Sequence, residues 1–286
     1  MSDTEHLISN LTATEFGILN GLRLYRFLNV PQMEKLGIGK QKGQITHVLP
    51  DMVRRNKPTI GKIVPGTLPK LGRLPNVYYL TEYGATKLAE ALAIDHEKIK
   101  YPKRVTMTSI HYWHRTHAVD CHIAVQKWLE KNNNRVDYYH DYFEHAGSNR
   151  KSNSVQRSVT RVEYSGGSII PDAIFQLTDD QSRSRFFALE IYNQNRPQRT
   201  FEKNLEYCHA IGENALTQAF NYPHMPRILM VFEHDAALLI HMERAAKHSG
   251  IQGFHKFFYF KVLEDLEAEF LTGWKMLDGT KNAKLF

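Results

Sequence analysis

The chain has 286 residues, 42% of them hydrophobic, which is material for two domains of ordinary size, each with its own core. Thirty-seven Lys and Arg against 30 Asp and Glu give a formal net charge of +7, which points to a polyanionic partner. Only two cysteines occur, Cys121 and Cys208, no apolar run reaches the roughly 18 residues that span a bilayer, and the first ten residues are polar. These features exclude a disulfide framework, a membrane-spanning helix and a signal-peptide core, and the expectation is a cytoplasmic protein with no membrane partner.

Thr12 and Glu15 have capping-box spacing, and Ile18, Leu19, Leu22 and Tyr25 then recur on one face of a first helix. Pro31 opens a short second helix to Leu36, and Gly37 and Gly39 punctuate the stretch after it. A third helix begins near Gln41, with an apolar stripe of Ile45, Val48, Leu49, Met52 and Val53. Pro50 lies inside it and predicts a kink or a break. A strand over 59–64, a loop rich in Pro and Gly, and a returning strand over 77–80 form a hairpin with a long tip. Thr81 caps a closing helix bearing Ala85, Leu88, Ala89 and Leu92. Helix, helix, helix, wing, helix is the order of a winged helix-turn-helix, and it assigns residues 1–100 to a DNA-binding domain. Nine Lys or Arg and one acid, Asp51, lie between Lys35 and Arg73. Lys40, Lys42, Arg54, Arg55, Lys62, Lys70 and Arg73 are therefore the candidate contacts to double-stranded DNA.

After a linker over 95–108, residues 101–286 form the second domain. A helix over 109–131 carries Trp113, His117, Cys121, Ala124 and Trp128 along one side. Strands follow near 136–143, 159–164, 169–177 and 186–192, then a helix from Pro197 to Gly212, a strand over 228–232, a helix over 236–247 and a strand near 257–260. This order gives an α+β chain whose second domain is a mixed sheet flanked by helices.

The stretch from Pro171 to Phe175 and the stretch from Phe187 to Tyr192 read as the two arms of a hairpin centred near Gln181, which sets Asp172 opposite Glu190. Like charges so placed repel unless neutralised. One solution is a divalent cation, Mg²⁺ or Mn²⁺, held by both carboxylates and a backbone carbonyl. Another is pairing of one carboxylate with Arg183, Arg185 or Arg161. Tyr192 falls on the face of Glu190 and offers a second chemistry, attack of its hydroxyl on phosphate. Lys203 and Tyr207 lie one turn apart on the following helix. His111, His114 and His117 spread around their helix and are a poor zinc set; His117 reads as a packed histidine near the site. Asp120 is read as a solvated helix position, with a further acidic ligand as the alternative. Arg150, Lys151, Arg157 and Arg161 lie in an acid-free segment suited to gripping phosphate.

The P-D strand, the E strand 18 residues later and the αβββαβ order resemble the PD-(D/E)xK nuclease fold. Together with the stretch from Tyr78 to Gly84 that ends the hairpin and with His117 to Asp120, the whole arrangement is similar to the replication-relaxation family and the MobC-type relaxases of mobilisable plasmids. That resemblance implies metal-dependent nicking or relaxation of DNA at a plasmid transfer or replication origin, with an accessory mobilisation or replication protein and oligomerisation as further possibilities. It makes Asp172 and Glu190 metal ligands and gives Lys203 the place of the motif's lysine, with Tyr192 and Tyr207 beside them. The pattern departs at Tyr192, where a simple ExK strand has lysine, so Lys203 must reach the site from its helix. The competing expectation is a non-catalytic DNA-binding replication accessory protein or transcriptional regulator.

Overall fold

The computed structural model describes residues 11–40, 43–68, 72–102, 109–132, 134–146, 157–193 and 197–286. Its contacts group the chain into two compact units, Met1–Asp120 and Cys121–Phe286. Among the described residues no helix is long and apolar enough to cross a membrane.

In the first unit, α1 (Ala13–Tyr25) starts at the expected capping box, with Thr12 and Glu15 bonded reciprocally. A short strand, β1 (Phe27–Asn29), leads into α2 (Val30–Lys35), where Asn29 and Gln32 form a second capping box. α3 (Gln44–Arg54) buries Ile45, Leu49 and Met52. Pro50 does not end it: the helix runs on to Arg54, because proline removes one bond while the buried stripe on either side continues to anchor the turn.

β2 (Ile60–Ile63) is followed by the tip strands β3 (Thr67–Leu68) and β4 (Gly72–Arg73) and by β5 (Val77–Leu80). β5 lies between β1 and β2, antiparallel to both. Thr81 caps α4 (Glu82–Leu92) and also donates to the Pro58 carbonyl, which fastens the helix start to the sheet. The approach there is close: a Cβ on Gly84 would stand 1.9 Å from the Thr59 carbonyl oxygen.

α5 (Ser109–Asn132) straddles the two units. Its first half is tied down by a ladder in which Asn29 donates to the Tyr112 hydroxyl at 3.4 Å, Gln32 to the Thr116 carbonyl at 2.9 Å, and Lys35 to Asp120 at 3.2 Å. Residues 112, 116 and 120 form one helical stripe, and so this stretch groups with the first unit. The contact grouping divides the chain within this continuous helix, after Asp120.

In the second unit β6 (Arg135–Asp141), β7 (His145–Ala146), β8 (Arg157–Ser158), β9 (Val162–Tyr164), β10 (Gly167–Ile169), β11 (Ala173–Thr178) and β12 (Ser184–Tyr192) precede α6 (Pro197–Gly212) and α7 (Ala215–Phe220). β13 (Arg227–Phe232), α8 (Asp235–Ala246), α9 (Ser249–Gln252), β14 (Phe258–Val262), α10 (Leu263–Ala268) and β15 (Lys275–Met276) complete it. The main sheet has six strands in the order β15-β14-β13-β12-β11-β6. β6, β11 and β12 form an antiparallel meander, and β12, β13 and β14 run parallel. The result is an α+β chain with a mixed sheet flanked by helices.

Period two sorts the side chains of this sheet. Ile174, Phe186, Ala188, Ile228, Met230, Phe258 and Phe260 pack with Tyr207, Ile211, Leu216, Leu238 and Ile251 from α6 to α9. Phe175 and Phe187 face the other way, against Tyr139, Phe270 and Phe286. β12 is buried on both faces, and Glu190 is the one acid within its run Phe186–Ile191.

Gly84→Ala is expected to lower stability by about 2–3 kcal/mol through backbone overpacking. Gly253→Ala, where an added Cβ meets nothing within 4 Å at a helical φ of −68°, is expected to leave stability unchanged or slightly raised. Urea unfolding of both variants checks the contrast.

Candidate functional site

The hairpin register matches the expected one. Ala173 pairs with Leu189 and Ile174 with Ala188, so Asp172 stands one step beyond the last pair, on the face of Glu190. Both carboxylates are buried, at 7% and 5% exposure. Asp172 folds back over the neighbouring strand, where its Oδ2 accepts the Ile191 N–H at 2.8 Å. Its own N–H donates to the Leu189 carbonyl at 2.8 Å, and its carbonyl accepts the Tyr142 N–H at 2.9 Å. The Asp172 backbone is thus pinned by both neighbouring strands.

α6 supplies the opposing groups. Pro197 stands at its first position, and Thr200, Phe201, Asn204, Tyr207, Cys208 and Ile211 make its buried stripe. The Tyr207 hydroxyl donates to Glu190 Oε1 at 2.6 Å, and Lys203 Nζ lies 3.4 Å from the same oxygen and 3.3 Å from the Ile170 carbonyl. Lys203 therefore reaches the acidic site from the helix. Burial alone would lower the Lys203 pKa, but Glu190, Asp172 and Glu206 outweigh it and hold the ammonium above its ordinary value. The alternative arginine partners are engaged locally: Arg183 with Asp179, Arg161 with Glu163, and Arg185 with the Ser184 carbonyl.

Tyr192 lies next to the acidic site. Its hydroxyl is buried and, among the described residues, has no hydrogen-bond partner. Burial, and then Glu190 and Asp172, push its pKa well above 10, so the phenolate is strongly disfavoured. Tyr207 is shifted upward by burial and Glu190 in the same way and stays a proton donor to the carboxylate.

Beyond Tyr192 lies a polar pair that sequence reasoning missed. Asn204 Nδ2 and His241 Nε2 are 2.9 Å apart at 0% and 2% exposure, with His241 enclosed by the rings of Tyr192, Phe232 and Phe260. Burial, with Arg244 nearby, pushes the His241 pKa down to about 4. The available signal was a polar residue at a buried position of each helical stripe.

Other expected residues are placed differently. Asp120 accepts from Gln32 and Lys35, on the α5 stripe that α2 covers. His117 is buried beside Trp113, as a packed histidine. Arg157 is exposed and within reach of Glu163, while Arg150 and Lys151 lie outside the described residues. Among the described residues no group of three or more His, Cys, Asp or Glu side chains is arranged to hold a metal. Any divalent ion at Asp172 and Glu190 would thus have two carboxylates, with backbone carbonyl oxygen and water completing its shell, a donor set of the kind Mg²⁺ accepts.

Within the first unit, Lys40, Arg54, Lys62 and Arg73 are exposed, Arg54 on the outer side of α3 and Lys62 and Arg73 on the hairpin. Arg55 has another task. Its guanidinium donates to Glu15, a carboxylate only 3% exposed that also holds the start of α1. Burial raises the Glu15 pKa, yet Thr12 and Arg55 more than offset it and leave it lowered. Lys42 and Lys70 lie outside the described residues.

His241 carries a pH signature. Its folded pKa lies below the ordinary 6.5, so its neutral form contributes stability that is fully present above pH 6.5 and is lost as pH falls toward about 4. Melting temperatures between pH 7 and pH 4.5 are expected to fall less steeply for His241→Gln than for the parent chain. Equal slopes would remove His241 from the acid response.

Set against protein families, curated proteins and solved structures, the chain matches none.

Proposed function

We propose that the chain is a two-domain DNA-processing protein, in which a winged helix selects the site and a PD-(D/E)xK-like domain nicks or relaxes it by divalent-cation-dependent phosphodiester cleavage. The observation that carries this reading is the convergence of Asp172, Glu190, Lys203 and Tyr207 in one buried place. Two carboxylates brought together beside backbone carbonyl oxygen are hard donors of the kind a divalent cation takes. A bound Mg²⁺ or Mn²⁺ would supply Lewis-acid neutralisation of phosphate charge and a more acidic water.

The chain's own groups have defined tasks. Asp172, pinned by the Ile191 N–H, and Glu190, oriented by Tyr207, present fixed oxygens. The Lys203 ammonium is placed to balance charge developing on a phosphate oxygen as the bond to the leaving oxygen breaks. Water is the attacking group in this reading. For the first unit, the order of α1 to α4 with the β1-β5-β2 sheet supports the winged-helix reading, with α3 as the reader and β2–β5 as the wing. Lys40, Arg54, Lys62 and Arg73 are the phosphate contacts, and Arg55 serves the fold. A plasmid origin as target and an accessory mobilisation or replication protein as partner follow from the family resemblance.

Asp172→Ala and Glu190→Ala are each expected to abolish nicking of supercoiled cognate plasmid in Mg²⁺ or Mn²⁺ while DNA affinity stays within a few-fold. Lys203→Met should lower the nicking rate by about 10²–10³-fold, the scale of losing one oriented charge stabiliser. An intact plasmid after incubation with parent protein that binds it would sink the enzymatic reading.

The second reading, a non-catalytic DNA-binding accessory protein or regulator, draws on Tyr192 in the place of the motif's lysine. Calorimetry with Mn²⁺ separates the two, since a decayed site takes up no metal. Both readings require DNA affinity that falls with salt, and Arg54→Ala or Lys62→Ala should each reduce the slope of log K against log salt by about 1.

A further inference from the structure

We infer that the buried Asn204–His241 pair is a register lock, which fixes the rotation of α6 so that Lys203 and Tyr207 both meet Glu190. Asn204 follows Lys203 directly and lies three residues before Tyr207. Helical geometry therefore couples the directions of all three side chains. Asn204 is wholly buried in the middle of α6 and bonds across to His241 of α8 at 2.9 Å.

Packing does not account for this choice. Asparagine is a weak helix former, and the histidine stands among the rings of Tyr192, Phe232 and Phe260, where an aliphatic side chain would fit the surroundings. A hydrogen-bonded polar pair in an apolar box contributes little beyond an apolar pair of similar shape, and each member is costly when left alone. This pair is also incompletely satisfied, since Asn204 Oδ1 and His241 Nδ1 have no partner among the described residues. What the pair supplies is specificity: an apolar stripe tolerates a helix turned or slid by a fraction of a residue, whereas one short hydrogen bond does not. A second tie acts at the start of the helix, where Arg244, also on α8, bonds Gln198 at 2.6 Å and lies over the Phe201 ring at 4.2 Å.

Asn204 and His241 are thus positioning residues. The value of the lock for catalysis rests on the nuclease reading; the alignment itself does not. The test is a ¹H–¹⁵N spectrum of lysine ammonium groups in the full-length protein, cold and without metal. A shielded Lys203 ammonium should give a slowly exchanging signal, assigned by its disappearance in Lys203→Met. In Asn204→Leu/His241→Leu the signal should vanish although the melting temperature is unchanged or raised. In His241→Gln, whose amide reaches the position of Nε2, it should survive.

Absence of the signal from the parent chain, its persistence in the double leucine variant, or its loss from His241→Gln would each overturn the lock. If the leucine pair does not fold, His241→Gln decides alone. Nicking assays on the same proteins keep the two inferences apart. The leucine pair should lose about 10²-fold in rate, the scale of a misplacement near 1 Å. A parent chain that never nicks, with the ammonium signals behaving as expected, defeats the nuclease reading and leaves the lock standing.

Discussion

A carboxylate buried in an apolar strand governs the second unit. Glu190 sits among Phe186, Phe187, Ala188, Leu189 and Ile191 on a strand covered on both faces, where an isolated charge would cost several kcal/mol even after relaxation. Neighbours are needed to make it tolerable, and they come from α6: a hydroxyl at 2.6 Å and an ammonium at 3.4 Å. Asp172, on the same face, adds a second acid to the problem. Its Oδ2 is held by a backbone N–H of the very strand that carries Glu190. The sheet thus sets two buried acids on one face, where each needs donors of its own: the Ile191 N–H for Asp172, and Tyr207 and Lys203 for Glu190.

A comparable economy in the first unit changes the meaning of its positive charge. Nine Lys and Arg between Lys35 and Arg73 look like one basic surface when counted. Two of them are partly engaged inside the fold: Lys35 with Asp120 on α5, and Arg55 with Glu15 at the start of α1. Glu15 and Asp120 lie outside the counted window, so the segment's apparent excess over one acid is partly balanced from elsewhere. Lys40, Arg54, Lys57, Lys62 and Arg73 are exposed and stand outside these two pairs, while Lys35 and Arg55 keep 38% and 44% of their side chains exposed.

Much of this was legible in the residues, for identifiable reasons. The 172–190 register was assumed from a hairpin centred near Gln181, and the pairing of Ala173 with Leu189 matches it; slipping by one residue would send Phe186 and Ala188 to the wrong face. The Thr12–Glu15 capping box and the extent of α6 are local patterns, and local patterns can be read from spacing. Contacts between distant segments could not be. The Asn29, Gln32 and Lys35 ladder to α5 joins positions more than 80 residues apart. Pro50 looked like a kink or a break because its cost is local, whereas the burial of Ile45, Leu49 and Met52 that holds α3 together is tertiary. His241 was invisible as a partner of Asn204 for the same reason.

Moving the cation from strand to helix has a structural consequence. A lysine two residues after Glu190 would be fixed to the acid by the strand itself, with no more freedom than its own side chain. Tyr192 occupies that position, and the cation comes instead from Lys203, across the boundary between sheet and helix layer. Its distance from Glu190 then depends on how α6 docks, and docking depends on side chains that touch neither acid, among them Phe201 beneath Arg244 and Asn204 against His241. Substitutions under α6 should therefore alter the acidic site without touching it.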